Sequence, residues 1–261
     1  MPVLTEAQWS AIEPLIEAVR PQTGRKLADL RRTFEAMVWR LQNGAKWRAI
    51  PAELGPWWRA AQTFLRWSKL GVWERFFEIA KAAGWPQLGM VFMDGTIIRA
   101  HQKAAGATKE ESEEAKLSRP DNEALGRSQG GFGTKAHAIA DARGRALGFA
   151  LTPGQAGEAP QSLDLLAFLP AIQGWVVADR GYSSHAVRTA VWELGSRPAI
   201  PTRRNEAAVR CPDWIYVNRE RVERLWNRLK EWRAIATRYE KTARSFLSAL
   251  HLAAAFDWLK S

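Results

Sequence analysis

Cysteine is nearly missing from this chain. Cys211 stands alone among 261 residues, which excludes an intramolecular disulfide and any cysteine-built zinc cluster. Histidine is scarce too: His101, His137, His185 and His251 are the four, and none stands in a G-x-S-x-G or comparable nucleophile setting. No apolar run approaches the ~18 residues that span a bilayer. The opening residues, M-P-V-L-T-E-A-Q-W, lack the basic-then-apolar order of a signal peptide. The expectation is a cytoplasmic, nucleoid-associated protein with no membrane partner. Acid is also in short supply, with 27 Asp and Glu against 38 Lys and Arg, a net charge of +11 and a pI near 10.2. A surplus of that size favours nucleic acid as partner.

What is present is ordinary globular material, 46% hydrophobic and 25% charged, in a length that allows one large domain or two smaller ones. The positive charge is concentrated. From Arg197 to Arg244 there are 13 Lys or Arg against 6 Asp or Glu, whereas Glu110, Glu111, Glu113 and Glu114 sit in a polar stretch far from that region. A phosphate backbone would lie along the basic segment.

Residues 1 to about 85 read as helical. Thr5 with Gln8 makes a capping box, and Leu27, Leu30, Phe34, Met37, Val38 and Leu41 trace an apolar stripe that Asn43-Gly44 ends. A connector with Pro51, Gly55 and Pro56 leads to a helix from about Trp58 to Leu70, and another follows from Val72 to Ala83. Eight of the 14 Trp lie here and are expected mostly in the core. Arg59, Gln62 and Arg66 share one helical face, which fits the second helix of a helix-turn-helix reader of base edges. Taken alone, the segment fits a plain bundle with a solvated basic face better.

After Gln87 the pattern changes. Leu88 to Ile98 reads as a buried strand carrying one acid, Asp94. Residues 101 to 133 read as a polar, Gly-rich insertion with Arg127 and, just beyond, Lys135 as backbone-contacting cations. Strands at Ala136–Ala140 and Ala146–Leu151 flank a hairpin turn, then a helix, a strand at 174–178 ending at Asp179, a helix, and a strand near 198–200. This order predicts one mixed sheet with helices on both faces.

The segment Y-V-N-R-E-R-V-E-R-L-W-N-R-L-K from Tyr216 to Lys230 carries the most information. Tyr216, Arg219, Glu223 and Lys230 are spaced to return to one face of a single helix at about 100° per residue. Glu220 and Glu231 point elsewhere. Asp94 and Asp179 interrupt or end apolar strands, where an ionised carboxylate is costly unless it is paired or binds metal. Each taken singly also fits an acid satisfied by backbone N–H groups. Three such acids together would form an oxygen-only site suited to Mg²⁺ or Mn²⁺, and two ions would serve in-line attack on a phosphodiester.

Asp94-Gly-Thr, Ala178-Asp179-Arg-Gly-Tyr182 and Tyr216-x2-Arg219-x3-Glu223-x6-Lys230, together with Trp47-Arg-x-Ile-Pro51, resemble the motifs of the DDE transposases of bacterial insertion sequences. The resemblance implies a ribonuclease-H-like catalytic domain at 86–261, with a polar insertion at 101–133, preceded by an all-α helix-turn-helix-type DNA-binding domain at 1–85. It implies metal held by Asp94, Asp179 and Glu223, and DNA phosphates held by Arg219 and Lys230. Tyr216 would pack on or hydrogen-bond to the strand near the cut. The expected partners are double-stranded element ends and target DNA, with a homodimer on paired ends. A metal-dependent nuclease of the same fold, or a DNA-binding descendant without catalysis, is the alternative.

Overall fold

The computed structural model describes residues 3–23, 27–105, 123–170, 174–204 and 206–260. The acidic run at Glu110–Glu114 lies outside them. In order, the longer elements are α1 (Glu6–Val19), α2 (Leu30–Asn43), α3 (Trp57–Lys69), α4 (Val72–Ala83), β1 (Met90–Ala100), β2 (Gly126–Ser128), β3 (Gly131–Ala140), β4 (Ala146–Pro153), α5 (Ala159–Leu166), β5 (Trp175–Ala178), α6 (His185–Glu193), β6 (Arg197–Ala199), α7 (Glu220–Lys230) and α8 (Ala243–Leu259). No described helix is long and apolar enough to cross a membrane.

The chain divides into two compact units, one of residues 1–84, 100–111 and 229–261, the other of residues 85–99 and 112–228. The first unit thus takes in residues beyond position 85 as well as those before it. Helix α8 belongs with the helical unit: it is buried on nearly every side, from Ser245 to Trp258. A helix apolar all round announces burial without naming its neighbours, so its partner was not legible.

In the helical unit, Thr5 and Gln8 close the capping box by backbone-to-side-chain bonds of 2.9 and 3.2 Å. Asp29 caps α2 by accepting from the Arg32 N–H, and Gly44 ends that helix in the left-handed region at φ 59°. Cap placement is why α2 starts at Leu30 rather than at Leu27. Phe34 is the centre of the core, its ring 5.9–6.2 Å from those of Trp9, Trp73, Phe76 and Phe256. Truncating such a residue to Ala costs about 3–5 kcal/mol. The expectation that most N-terminal tryptophans are core needs correction. Trp9, Trp67 and Trp73 are buried, but Trp58 and Trp85 are exposed, and Trp47 and Trp57 are half-buried beneath the guanidinium groups of Arg40 and Arg48. Stacked arginines let indoles sit at the surface.

The second unit is built on a mixed sheet. β3 runs antiparallel to β1 and β4, while β5 is parallel to β1 and β6 parallel to β5. This gives the order β4-β3-β1-β5-β6, with β2 a short antiparallel partner of β3. A three-strand antiparallel meander followed by two parallel strands with intervening helices is the ribonuclease-H-like fold. The Gly-rich end of the expected insertion is not a loop: residues 126–133 form β2 and the first rungs of β3. Gly131 turns the hairpin at φ 104°, and a Cβ at Gly133 would strike the carbonyl oxygen of Ile98 on β1. Glycine here permits close strand approach rather than mobility.

Candidate active site

The sheet topology itself gathers the first two acids. Met93 pairs with Ala178 across the parallel β1–β5 ladder, so Asp94 and Asp179 are each the next residue on adjacent strands. Strands lie about 4.8 Å apart, which puts the two carboxylates side by side where β5 ends against the middle of β1. Asp179 also caps the 3₁₀ turn Arg180–Tyr182, its Oδ1 accepting from the Gly181 N–H at 2.8 Å. Asp94 has a different partner. The Arg219 Nη1 donates to its Oδ1 at 2.9 Å, and the Arg219 Nη2 donates to Glu223 Oε1.

The segment bearing Arg219 and Glu223 is not one unbroken α-helix. Asp213–Tyr216 forms a single α-turn, Val217–Arg219 a 3₁₀ turn, and only then does α7 begin. The tighter turn still leaves Arg219 and Glu223 four residues apart and paired. Lys230, seven residues beyond Glu223, is half-buried at the end of α7, and Tyr216 is half-buried in the first turn.

A fourth carboxylate, absent from the sequence reading, enters this cluster. Glu158 immediately precedes α5 and lies against Asp179; burial, then the negative charge of Asp179, raises its pKa. Two glycines make room for it: a Cβ at Gly181 would collide with the Glu158 carboxylate, and one at Gly95 would sit 3.5 Å from its Oε1. Lys135 reaches Glu158 Oε1 at 3.4 Å and donates to the Ala156 carbonyl at 2.9 Å. That ion pair occupies the ammonium that the sequence offered to a DNA backbone. The available signal was weak: an acid just before Ala159-Pro160 looks like any helix start.

Beneath the acids, His137 is buried on β3 between the Tyr182 hydroxyl at 3.1 Å and the Thr152 hydroxyl at 3.0 Å. Burial, then Lys135, lowers its pKa to about 4, so it is a neutral strut. Burial and then the charges of Glu158 and Asp94 push the Tyr182 phenol far above its ordinary range. Desolvation raises the Asp94 pKa to about 6, against the pull of Arg219 and with the push of Asp179, Glu158 and Glu223.

Four carboxylates therefore face two cations, Arg219 and Lys135. Oxygen is the only donor type from the acids, which suits a hard divalent ion. Among the described residues, however, no three His, Cys, Asp or Glu side chains form a group able to hold a metal. Asp94, Asp179 and Glu223 are gathered but not assembled into a cage, since the Arg219 guanidinium stands between Asp94 and Glu223 where a cation would go.

The remaining expected contacts lie apart. Arg127 is exposed on β2 opposite Phe132, six residues along β3 from Ala138, the partner of Asp94, or roughly 20 Å. In the helical unit, Gln62 and Arg66 are exposed and Arg59 half-buried on α3. They line a cleft of about 450 Å³ with Arg20, Gln22 and Trp58. The α2–α3 connection, residues 44–56, contains two 3₁₀ turns, Trp47–Ala49 and Ala52–Leu54, and so is longer than the roughly 3–4-residue turn of a helix-turn-helix.

Residues 4–77 match the family model described as "Putative transposase of IS4/5 family", and residues 176–260 match the "Transposase DDE domain". The chain is 37% identical over 129 residues to the "Putative transposase for insertion sequence element IS6501" of Brucella ovis, covering 49% of this chain and 98% of that relative. It is 32% identical over 121 residues to the "Putative transposase for insertion sequence element IS402" of Burkholderia cepacia, covering 42% of this chain and 56% of that one. Among solved structures, the piggyBac transposase synaptic complex with hairpin DNA aligns with TM-score 0.42 and 9% identity over 77% of this chain, which spans 48% of the piggyBac chain. The pre-cleavage Mos1 transpososome aligns with TM-score 0.27 and 12% identity over 98% of this chain and 84% of that one. With identity spread over nearly the whole of the Brucella relative, and transposase models matching both ends, the chain belongs to the insertion-sequence transposases.

Proposed function

We propose that this protein binds the terminal repeats of its own insertion element, hydrolyses a phosphodiester at each end, and joins the freed 3′-hydroxyls to target DNA. The observation that carries the reading is the charge imbalance where β5 ends against β1. Asp94, Asp179, Glu158 and Glu223 stand against Arg219 and Lys135, four negative charges to two positive. With Asp94, Asp179 and Glu158 half-buried, an excess of that kind is costly unless a further cation completes it.

Asp94, Asp179 and Glu223 would hold Mg²⁺ or Mn²⁺, with Glu158 beside them. One or two such ions, when bound there, would supply Lewis-acid activation of a water or hydroxyl and of the leaving oxygen. The chain's own groups do the rest. Arg219, released from Asp94 and Glu223, pairs with a phosphate of the strand being cut, for which its planar fork is well matched. Lys230 holds a second phosphate, and Tyr216 packs on the strand. Arg127 meets the duplex backbone farther from the cut, and Lys135 keeps Glu158 in place. On α3, Arg59, Gln62 and Arg66 read base edges of the repeat. Two ends must be cut together, so a homodimer is the working form.

Incubating the protein with labelled element ends and a target plasmid tests this. Joined products are expected. Nicking without joining would make it a nuclease, and binding without nicking a catalytically silent descendant.

A further inference from the structure

Away from the acids, at the other end of β5, the sheet unit has a groove of about 590 Å³ lined by Trp175, Trp192, Trp214, Arg188, Arg197 and Arg210, among others, and among the described residues no Asp or Glu side chain is in its wall. Trp192 and Trp214 are 59% and 68% exposed. The Trp214 ring stands edge-on to Trp175, 6.1 Å between centroids at 76°, and the Arg197 guanidinium lies 5.8 Å from the Trp175 ring centre. Arg188 is anchored by donating to the Ser183 hydroxyl and the Ile200 carbonyl, and its Nη1 has no partner among the described residues.

Folding does not call for two open indoles beside three arginines of one sign. Large apolar side chains left in water mark a surface with a partner. The charge excludes a cationic partner, and the absence of carboxylates leaves nothing to answer a basic peptide. Flat aromatic faces with interleaved cations match a ligand that has π-faces and phosphates together. In duplex DNA the base faces are stacked on one another and are not on offer. We propose that this groove binds unpaired nucleotides of single-stranded DNA, bases against Trp192 and Trp214 and phosphates against Arg197 and Arg210. The inference rests on the DNA-end reading above. Trp175 and Asp179 are four residues apart on one extended strand, roughly 13 Å, so a strand opened near the acids would have the groove within two or three nucleotides.

The test uses the full chain in EDTA, so that cleavage plays no part, and follows the fluorescence anisotropy of a labelled eight-nucleotide oligo(dT) and of a labelled element-end duplex. The double variant Trp192→Ala/Trp214→Ala should weaken oligo(dT) binding about tenfold or more and duplex binding less than twofold. Trp192→Phe/Trp214→Phe should recover most of the loss, since a phenyl face still stacks. Arg197→Ala should lower the salt slope for the oligonucleotide by about 0.7. Equal losses on both DNAs, or none on oligo(dT), would overturn the groove while leaving the transposase reading standing. A wild-type protein that binds neither DNA would sink both. Loss of self-association by the double variant in sedimentation, with oligo(dT) binding intact, would make the groove a protein interface instead.

Discussion

In the helical unit Arg40 and Glu240 form an ion pair with 5% of each side chain exposed. Arg40 also donates to the Ala45 carbonyl at 3.0 Å and lies over the Trp47 ring at 4.7 Å. One cation meets one anion, and the neighbours fix the pair in place. In the sheet unit Arg219 must divide itself between Asp94 and Glu223, while Asp179 and Glu158 press on the same space. The first is a buried one-to-one pair, whereas the second sets one guanidinium against two carboxylates, with the Glu223 side chain about half exposed. The fully buried Asp141 shows what a structural acid looks like in the same sheet unit: its carboxylate accepts from the backbone N–H groups of Gln87, Arg143 and Arg145 at 2.9–3.0 Å. Among the described residues Asp94 has no such cradle, and its carboxylate accepts from Arg219. A half-buried charge left incompletely answered is what the proposed metal site calls for.

The largest effect that would sharpen this contrast is on cleavage. Asp94→Asn or Asp179→Asn should reduce cutting of element ends by about a thousandfold, several kcal/mol of lost charge stabilisation, with melting temperature unchanged or raised. A fall in melting temperature comparable to that of a broken core pair would erase the distinction between the clusters. Next comes stability. Arg40→Met leaves Glu240 buried and alone, so urea unfolding should show a loss of about 3–5 kcal/mol. Arg40→Met/Glu240→Leu should recover most of it, because both charges are then gone.

The pH dependence separates the clusters further. Burial raises the Asp94 pKa from its ordinary 3.8 to about 6 in the metal-free protein. Folding therefore opposes its ionisation. Its contribution is most favourable below pH 4 and is lost as pH rises from about 4 to 6, on the order of 2–3 kcal/mol. The melting-temperature advantage of Asp94→Asn over wild type should accordingly grow across that window and stay constant above it. His251 works in the opposite direction. Burial, then Lys81, depresses its pKa to about 3, so it withdraws stability as pH falls below about 6.5. It is present in both proteins and cancels from the difference. Metal affinity should fall with protonation of Asp94, approaching tenfold per pH unit below about 6, as read by Mn²⁺ titration.

Much of this was legible because periodicity and caps are local. The α2 stripe, its stop at Gly44, the β3–β4 hairpin and the acids that interrupt or end apolar strands all come from residues within a turn or a rung of one another. What escaped is non-local. Glu158 reaches the acids through the fold, by way of space left at Gly95 and Gly181, and nothing in E-A-P announces it. Arg219 was expected beside Glu223 from helical spacing; its bond to Asp94, 125 residues earlier, depends on how α7 packs on the sheet. The place of α8 was lost for the same reason.

The smallest expected effects are at the surface, and they test whether cations outside the acid cluster meet DNA. Arg66 is exposed on α3, whereas Arg219 is spent on two carboxylates in the protein alone. If α3 lies against a duplex, Arg66→Ala should lower the slope of log affinity against log salt by about 0.9, the share of one phosphate. Stability should stay within about 0.5 kcal/mol, as for a surface change away from any packed feature. Gln62→Ala should leave that slope alone and cost about 1–3 kcal/mol of discrimination between cognate and scrambled ends, because an amide adds no charge yet can read a base edge. An unchanged slope in Arg66→Ala, with equal affinity of Gln62→Ala for both sequences, would return α3 to a solvated basic face and move end recognition to another part of the chain.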